Sequence, residues 1–226
     1  MAATQRQDLK MSDTPAKYIG MIDWLRERLQ QELPGAIGQE RMAARVKPMP
    51  PQVPKNARPS AVLSLLYPVE DMLHLLLIKR VADGKAHSGQ IGFPGGKSEP
   101  SDADLKYTAL REAHEEVGIH SSQVDILGAL TPLYIPVSNF QVYPFVAFAN
   151  ERPIFNLSES EVSDILEIPV EELLHEDNKT VVNVTSPVMP EILRSVRAYK
   201  LKSGGIIWGA TAMIISELET VLEEYI

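Results

Sequence analysis

Apolar residues recur at helical spacing at Tyr18, Ile22, Leu25, Leu29 and Leu33, with Arg, Glu and Gln between them, which predicts an amphipathic helix over Pro15–Leu33. The pattern then stops. The stretch ARVKPMPPQVPKNARPS holds five prolines, which remove backbone donors and favour an extended connector or surface arm. Two apolar, β-prone runs follow, AVLSLLYPV and MLHLLLIKRV, separated by the polar pair Glu70-Asp71; they predict a hairpin of central strands. Farther on, VDILGALTPLYI and FQVYPFVAFA read as two more strands around the turn Pro136-Val137-Ser138-Asn139. Short helices are predicted at Glu159–Leu166 and Val170–His175, and strands at KTVVNVTS and RSVRAYKLKS, ahead of Ile206-Ile207-Trp208. A helix over Ala210–Glu224 closes the chain, with Ala212, Ile215, Leu218 and Leu222 along its buried stripe. No repeat of solenoid or propeller period is visible.

Between the hairpin and the later strands lies GFPGGKSEPSDADLKYTALREAHEEVGI, residues 92–119. Ser101 followed by Asp104 resembles a capping box, and Gly118 suits a helix end, so the segment predicts a helix from about Asp102 to Val117. Leu105, Ala109, Ala113 and Val117 then form one apolar stripe, with Glu112, Glu115 and Glu116 inside an arc of about 100° beside it. A solvated acidic face, with Arg111 pairing to Glu115 at i, i+4, is the ordinary account of such residues. Against it, like charges repel and acids near a helix C-terminus oppose the macrodipole; a divalent cation among them removes both penalties. Hard oxygen ligands without cysteine or paired histidine point to Mg²⁺ or Mn²⁺. Gly95-Gly96 allows a sharp turn and a close approach of backbone to ligand, and a carbonyl there, that of Gly95, is a candidate to complete the metal shell. The spacing is neither that of a Walker loop nor that of GxGxxG.

Composition narrows the partners. At 226 residues the chain suits one domain with a sizeable core. Its formal net charge of −8 argues against nucleic-acid binding, so an anionic substrate has to meet a local basic patch or metal ions. With no cysteine, no signal-peptide core at the N-terminus and no apolar run of roughly 20 residues, the expectation is a soluble cytoplasmic protein outside the membrane. Arg80, Lys85 and His87 fall within eight residues and lead into the glycine turn, and Lys97 extends them; any one of them is as readily a solvated loop residue, but the grouping fits a phosphate-binding wall better.

Gly95-Gly96 followed by Arg111-Glu112-Ala113-His114-Glu115-Glu116-Val117-Gly118-Ile119 resembles the box of the Nudix hydrolases, R-E-U-x-E-E-x-G-U with U aliphatic, and matches its second half at every fixed position. In the first half the general box has a glutamate eight residues before the arginine. Here Ala103 stands there, flanked by Asp102 and Asp104 as the substitutes, and the loop is one residue longer. Upstream, LLIKRVADGKAHSGQIGFPGG is similar to the extra signature of coenzyme A pyrophosphatases: Leu76, Leu77, Arg80, Gly89, Phe93, Pro94, Gly95 and Gly96 are in register, while Ile78, Val81 and Lys85 depart from it. The later PLYIPVSNFQVYPFVAF and IIWGATA also look like that subfamily.

The resemblance implies an α+β Nudix fold, an α/β/α sandwich around a mixed sheet. Residues 57–226 would form the hydrolase domain, and 1–56 an added helix and arm that could support a homodimer. It implies an Mg²⁺- or Mn²⁺-dependent hydrolase of a nucleoside diphosphate linked to another group. For coenzyme A the products would be 3′,5′-ADP and 4′-phosphopantetheine. Glu112, Glu115 and Glu116 would bind metal, with Glu116 central, and Arg111 would orient them. A further carboxylate or base is expected from a later loop, for which Glu161 in Ser158-Glu159-Ser160-Glu161 is the candidate; the first turn of a short helix would favour that acid equally well. ADP-ribose or a dinucleotide such as NADH stays open as substrate, as does a nucleotide-binding module that does not hydrolyse.

Overall fold

The two apolar runs around Glu70-Asp71 pair as expected. In the computed structural model, which describes residues 16–43, 52–82, 88–185 and 193–225, β1 (Arg58–Val69) and β2 (Met72–Arg80) form an antiparallel hairpin from Leu66↔Leu75 to Val69↔Met72, with Glu70 at φ 52° in the turn. Along its other edge β1 runs parallel to β7 (Phe140–Phe148), from Arg58↔Phe140 to Leu66↔Phe148. Around this pair gather β3 (Ile91–Gly92), β4 (Gly95–Lys97), β5 (Asp125–Ala129), β6 (Leu133–Ile135) and β8 (Val162–Pro169), giving a mixed eight-stranded sheet.

Because side chains alternate across a strand, the apolar runs Leu63–Tyr67 of β1, broken by Ser64 alone, and Leu75–Ile78 of β2 need cover on both faces. Leu63, Leu65, Tyr67, Leu76 and Ile78 face the helix α3 (Leu105–Val117), meeting Ala109, Ala113 and Val117. Leu66, Leu75 and Leu77 face the opposite layer, formed by α1 (Ala16–Arg28), the short α4 (Val170–Leu174), α5 (Gly209–Leu222) and a second sheet of β9 (Lys179–Thr185), β10 (Leu193–Lys200) and β11 (Ile206–Trp208). Each fully buried leucine contributes roughly 1.5–3 kcal/mol. The result is the expected α+β architecture with helices on both faces of a mixed sheet.

Four expectations need correction. Glu159–Leu166 is not helical: the chain turns at 159–161 and then forms β8, which pairs with β2 from Arg80↔Val162 to His74↔Pro169. The open edge of β2 has backbone donors and acceptors to satisfy, and this outweighs a local helical pattern. The run VDILGALTPLYI is two strands, both on β7, interrupted where Leu130 N–H turns to the Pro144 carbonyl. The N-terminal helix ends at Arg28, although Tyr18, Ile22, Leu25 and Leu29 are buried as the periodicity predicts, and a short α2 (Ala36–Glu40) follows. Half of the proline arm, residues 44–51, lies outside the described residues.

The fourth correction concerns α5, which is buried nearly all round and not along one stripe. It carries two buried acids. Glu219 accepts from Tyr199 Oη at 2.7 Å and from Lys179. Glu217 accepts from the backbone N–H groups of Gly35 (3.1 Å) and Thr131 (3.2 Å) and from Gln39 Nε2 (2.8 Å), so one carboxylate fastens the α1–α2 segment and the β5–β6 corner to the last helix. Glu217→Ala strands three donors and is expected to cost about 2–4 kcal/mol in urea unfolding, with metal binding at the distant glutamates unchanged. Among the described residues no helix is long and apolar enough to cross a membrane.

Candidate active site

Helix α3 starts three residues later than its spacing predicts. Asp104, not Ser101, is the cap: its Oδ1 accepts from Tyr107 N–H at 2.7 Å. At the other end Gly118 adopts φ 77° and donates to the Ala113 and His114 carbonyls. A side chain at Gly118 would also strike Asn156 at 2.8 Å, because the chain crosses the helix end here: Asn156 N–H donates to the Val117 carbonyl and Ser158 N–H to that of Glu116. This crossing brings Ser158–Glu161 beside the end of β2, where Val81 N–H donates to the Glu161 carbonyl.

Asp102, left outside the helix, takes another task. Its carboxylate accepts from Arg111 Nε (2.8 Å) and Nη2 (3.1 Å), from Thr108 Oγ1 (2.8 Å) and from Glu99 N–H (2.9 Å), and its side chain is 1% exposed. The hydrogen bonds from Arg111 hold the Asp102 carboxyl well below the usual carboxylate range, and the same bonds raise the guanidinium. The rest of Arg111 spreads over the site: Nη1 lies 3.0 Å from Glu112 Oε1 and 2.8 Å from Glu115 Oε2, and Nη2 donates to the Lys97 carbonyl at 3.2 Å.

Glu116 is the buried member of the trio, 0% exposed. Its Oε2 accepts from Gly95 N–H at 2.8 Å, and its Oε1 sits 3.1 Å from Arg80 Nη1 without hydrogen-bond geometry. Burial pushes its carboxyl up to about 7, against the opposing pull of Arg80 and Gly95. Burial also raises Glu112. The charge of Glu161 adds to the shift of both, so the structure puts Glu161 within electrostatic reach of Glu112 and Glu116. The turn that holds these groups together is made for glycine. Gly95 has φ 151°, and a Cβ there would lie 2.4 Å from the Ala61 carbonyl; a Cβ on Gly96 would lie 2.5 Å from the Glu112 carboxylate. Gly96→Ala is therefore expected to evict Glu112 and cut kcat by about 10²–10³-fold, with a thermal shift of only a few degrees, whereas Gly95→Ala destabilises the fold itself.

Of the other residues singled out in the sequence, Glu115 is exposed and bonded to Arg111. Lys97 is exposed and enters the site through its carbonyl. Lys85 and His87 lie outside the described residues. A cavity of about 420 Å³ is found elsewhere, lined by Arg41, Lys179, Arg197 and Glu219 in the opposite layer. Its cations are spent on Glu176, Glu219, Glu223 and backbone carbonyls, so the glutamate cluster remains the candidate.

Comparison with known proteins decides the family. The NUDIX domain family matches residues 57–190, more than half of the chain. The chain belongs to the Nudix family. Similar proteins include uncharacterized Nudix hydrolases named NudL from Yersinia enterocolitica, 39% identical over 145 residues (64% of this chain, 71% of that one), and from an Enterobacter species, 37% identical over 167 residues (72% and 82%). Among solved structures, a MutT/nudix family protein from Enterococcus faecalis aligns at TM-score 0.49 and 14% identity, covering 92% of this chain and 76% of that one. A Caenorhabditis elegans Ap4A hydrolase aligns at 0.44 and 21%, covering 50% and 80%. This chain is thus a Nudix hydrolase, an enzyme of a family that uses divalent metal ions.

The residues of the Nudix box suit such an ion. The donors are hard oxygens, and a buried carboxylate oxygen of Glu116 has no hydrogen bond. As they stand, however, the glutamates do not converge: among the described residues no three acidic or histidine side chains form a ready cluster. Each is instead drawn to a guanidinium, Glu116 to Arg80 and Glu112 and Glu115 to Arg111. Sequence spacing shows the helix face but not the Arg80–Glu116 pair, which joins a strand to a helix across the glycine turn.

Proposed function

We propose that this Nudix hydrolase cleaves the pyrophosphate of coenzyme A or its acyl derivatives to 3′,5′-ADP and (acyl-)4′-phosphopantetheine, with Mg²⁺ or Mn²⁺. One observation carries the reading: the two motifs meet, because Arg80 of the upstream segment lies 3.1 Å from Glu116 of the box. A phosphate-binding residue thereby borders the carboxylates that would hold the metal. In this reading Glu112, Glu115 and Glu116, with the Gly95 backbone beside them, hold the ion, which when bound neutralises phosphate charge and acidifies water. Arg111, locked by Asp102, keeps Glu112 and Glu115 in place. Glu161 supplies a further carboxylate or base. Arg80, Lys85, His87 and Lys97 receive the phosphates, Arg80 as a bidentate fork and Lys85 as a point charge. We take residues 57–226 as the hydrolase domain and 1–56 as an appended helix and arm available for a homodimer contact. A cysteine-free chain suits the reducing cytoplasm.

The test is mass-spectrometric product analysis with coenzyme A, ADP-ribose and NADH, each with Mg²⁺ or Mn²⁺. Appearance of 3′,5′-ADP from coenzyme A alone supports the reading. Cleavage of ADP-ribose or NADH in its place moves the substrate class to other linked nucleoside diphosphates.

A further inference from the structure

Two guanidiniums bind the box glutamates, and they are held very differently. Arg111 is 14% exposed and fixed by a bidentate carboxylate, a second glutamate pair and a backbone carbonyl. Arg80 is 35% exposed, and Glu116 is its one carboxylate partner among the described residues, approached without hydrogen-bond geometry. Its backbone is pinned, with its N–H on the Gln90 carbonyl and its carbonyl accepting from Ser163 Oγ, next to a register shift at Lys79/Arg80. Its side chain is therefore a long, half-open arm on a fixed base. Of the two Glu116 oxygens, Oε2 already accepts from Gly95 N–H, and Oε1 has no hydrogen bond. That remaining oxygen, Oε1, is the atom against which Arg80 rests.

We propose that Arg80 is a placeholder cation: it neutralises buried Glu116 while the site is without metal, and yields that oxygen to the metal ion to take up a substrate phosphate oxygen instead. The inference rests on the metal-dependent reading of this same site. A carboxylate at 0% exposure needs a compensating charge, and the guanidinium supplies it when no ion does. A divalent ion and a guanidinium repel one another across one oxygen, so the weakly held arm moves and Arg111 stays. Released at the mouth of the glycine turn, a guanidinium fits phosphate oxygens in bidentate fashion. Metal and phosphate then bind cooperatively, in that order, because the first frees the ligand of the second.

The experiment measures Mn²⁺ binding by calorimetry and by the paramagnetic resonance of free Mn²⁺, with no nucleotide present. Binding of AMP and of 3′,5′-ADP to the Mn²⁺-loaded protein follows, on wild type, Arg80→Gln and Arg80→Lys. Removing the competing cation in Arg80→Gln is expected to tighten Mn²⁺ binding by about tenfold and to weaken the phosphate probes by a similar factor, within the usual range of site coupling. Arg80→Lys keeps the charge and is expected to bind Mn²⁺ like wild type, yet to weaken the probes through loss of the fork. A merely structural arginine would move both affinities in the same direction, and unchanged or weaker Mn²⁺ binding in Arg80→Gln overturns the proposal. If wild type binds no Mn²⁺, the metal-dependent reading falls with it. If AMP behaves as stated and 3′,5′-ADP does not bind, the placeholder role stands and the coenzyme A assignment is what fails.

Discussion

Glu116→Gln is expected to lower kcat by at least about a thousandfold, on the order of 4 kcal/mol, while making the metal-free protein more stable at pH 8. The two effects have one cause. The folded-state carboxyl is pushed up to about 7 by burial, above the ordinary value for an unfolded glutamate, so at high pH the fold carries an ionised group it would rather protonate. For an acid with a raised value the penalty is absent below about pH 4.5, grows between there and pH 7, and is complete above. A shift of this size corresponds to at most about 3.5 kcal/mol. Gln keeps an acceptor for Gly95 N–H, and the third-exposed Arg80 can turn to water, so a net gain of about 1–2 kcal/mol is expected. For a chain of this length that is several degrees in melting temperature, read by scanning calorimetry in EDTA at pH 8. At pH 5 the gain should nearly vanish. A variant less stable than wild type at pH 8 would show that Glu116 carries no such strain.

Asp102→Ala is expected to be the most damaging substitution outside the glutamates, at about 3 kcal/mol. Removing one partner of a buried ion pair leaves the other uncompensated, and here Thr108 and the Glu99 N–H lose an acceptor as well. Arg111 would be drawn further onto Glu112 and Glu115, so kcat should fall with stability while Asp102→Asn preserves more of both. Acid pH separates charge from shape. The Asp102 carboxyl is held below its unfolded value, so its stabilisation is present above about pH 4 and is lost as pH falls from there toward the folded value. Wild type should therefore lose stability steeply below pH 4 in urea titrations, and Asp102→Asn should be flatter over that window. Parallel acid limbs would mean that the pair contributes nothing through its charge.

What could be read in the sequence divides by distance along the chain. The β1–β2 hairpin, the apolar stripe of α3 and its Gly118 end are set by residues within a turn or two of one another, and the structure keeps them. The R-E-U-x-E-E-x-G-U pattern, which carries the family, is equally local, spanning residues 111–119. Elements fixed by remote partners depart from their local pattern: β8 is a strand because β2 has an edge to fill, and Asp104, not Ser101, caps α3, while Asp102 is engaged by Arg111, nine residues on. The acids of α5 are the extreme case. Glu217 and Glu219 look like the polar side of an amphipathic helix, and only the residues brought from far away show that both are buried.

That remoteness bears on how the protein is made. Glu217 is translated 182 residues after Gly35 and 178 after Gln39, and its carboxylate ties both of them to Thr131. On the ribosome, the Nudix helix and the hairpin can pair long before this carboxylate exists, while the first helix waits with an uncovered apolar face and the Gly35 and Thr131 N–H groups wait for their acceptor. Assembly of that layer is therefore a late event closed by the last helix, and a stalled or slowly elongating chain would expose Ile22, Leu25 and Leu29 to chaperones or to another nascent copy.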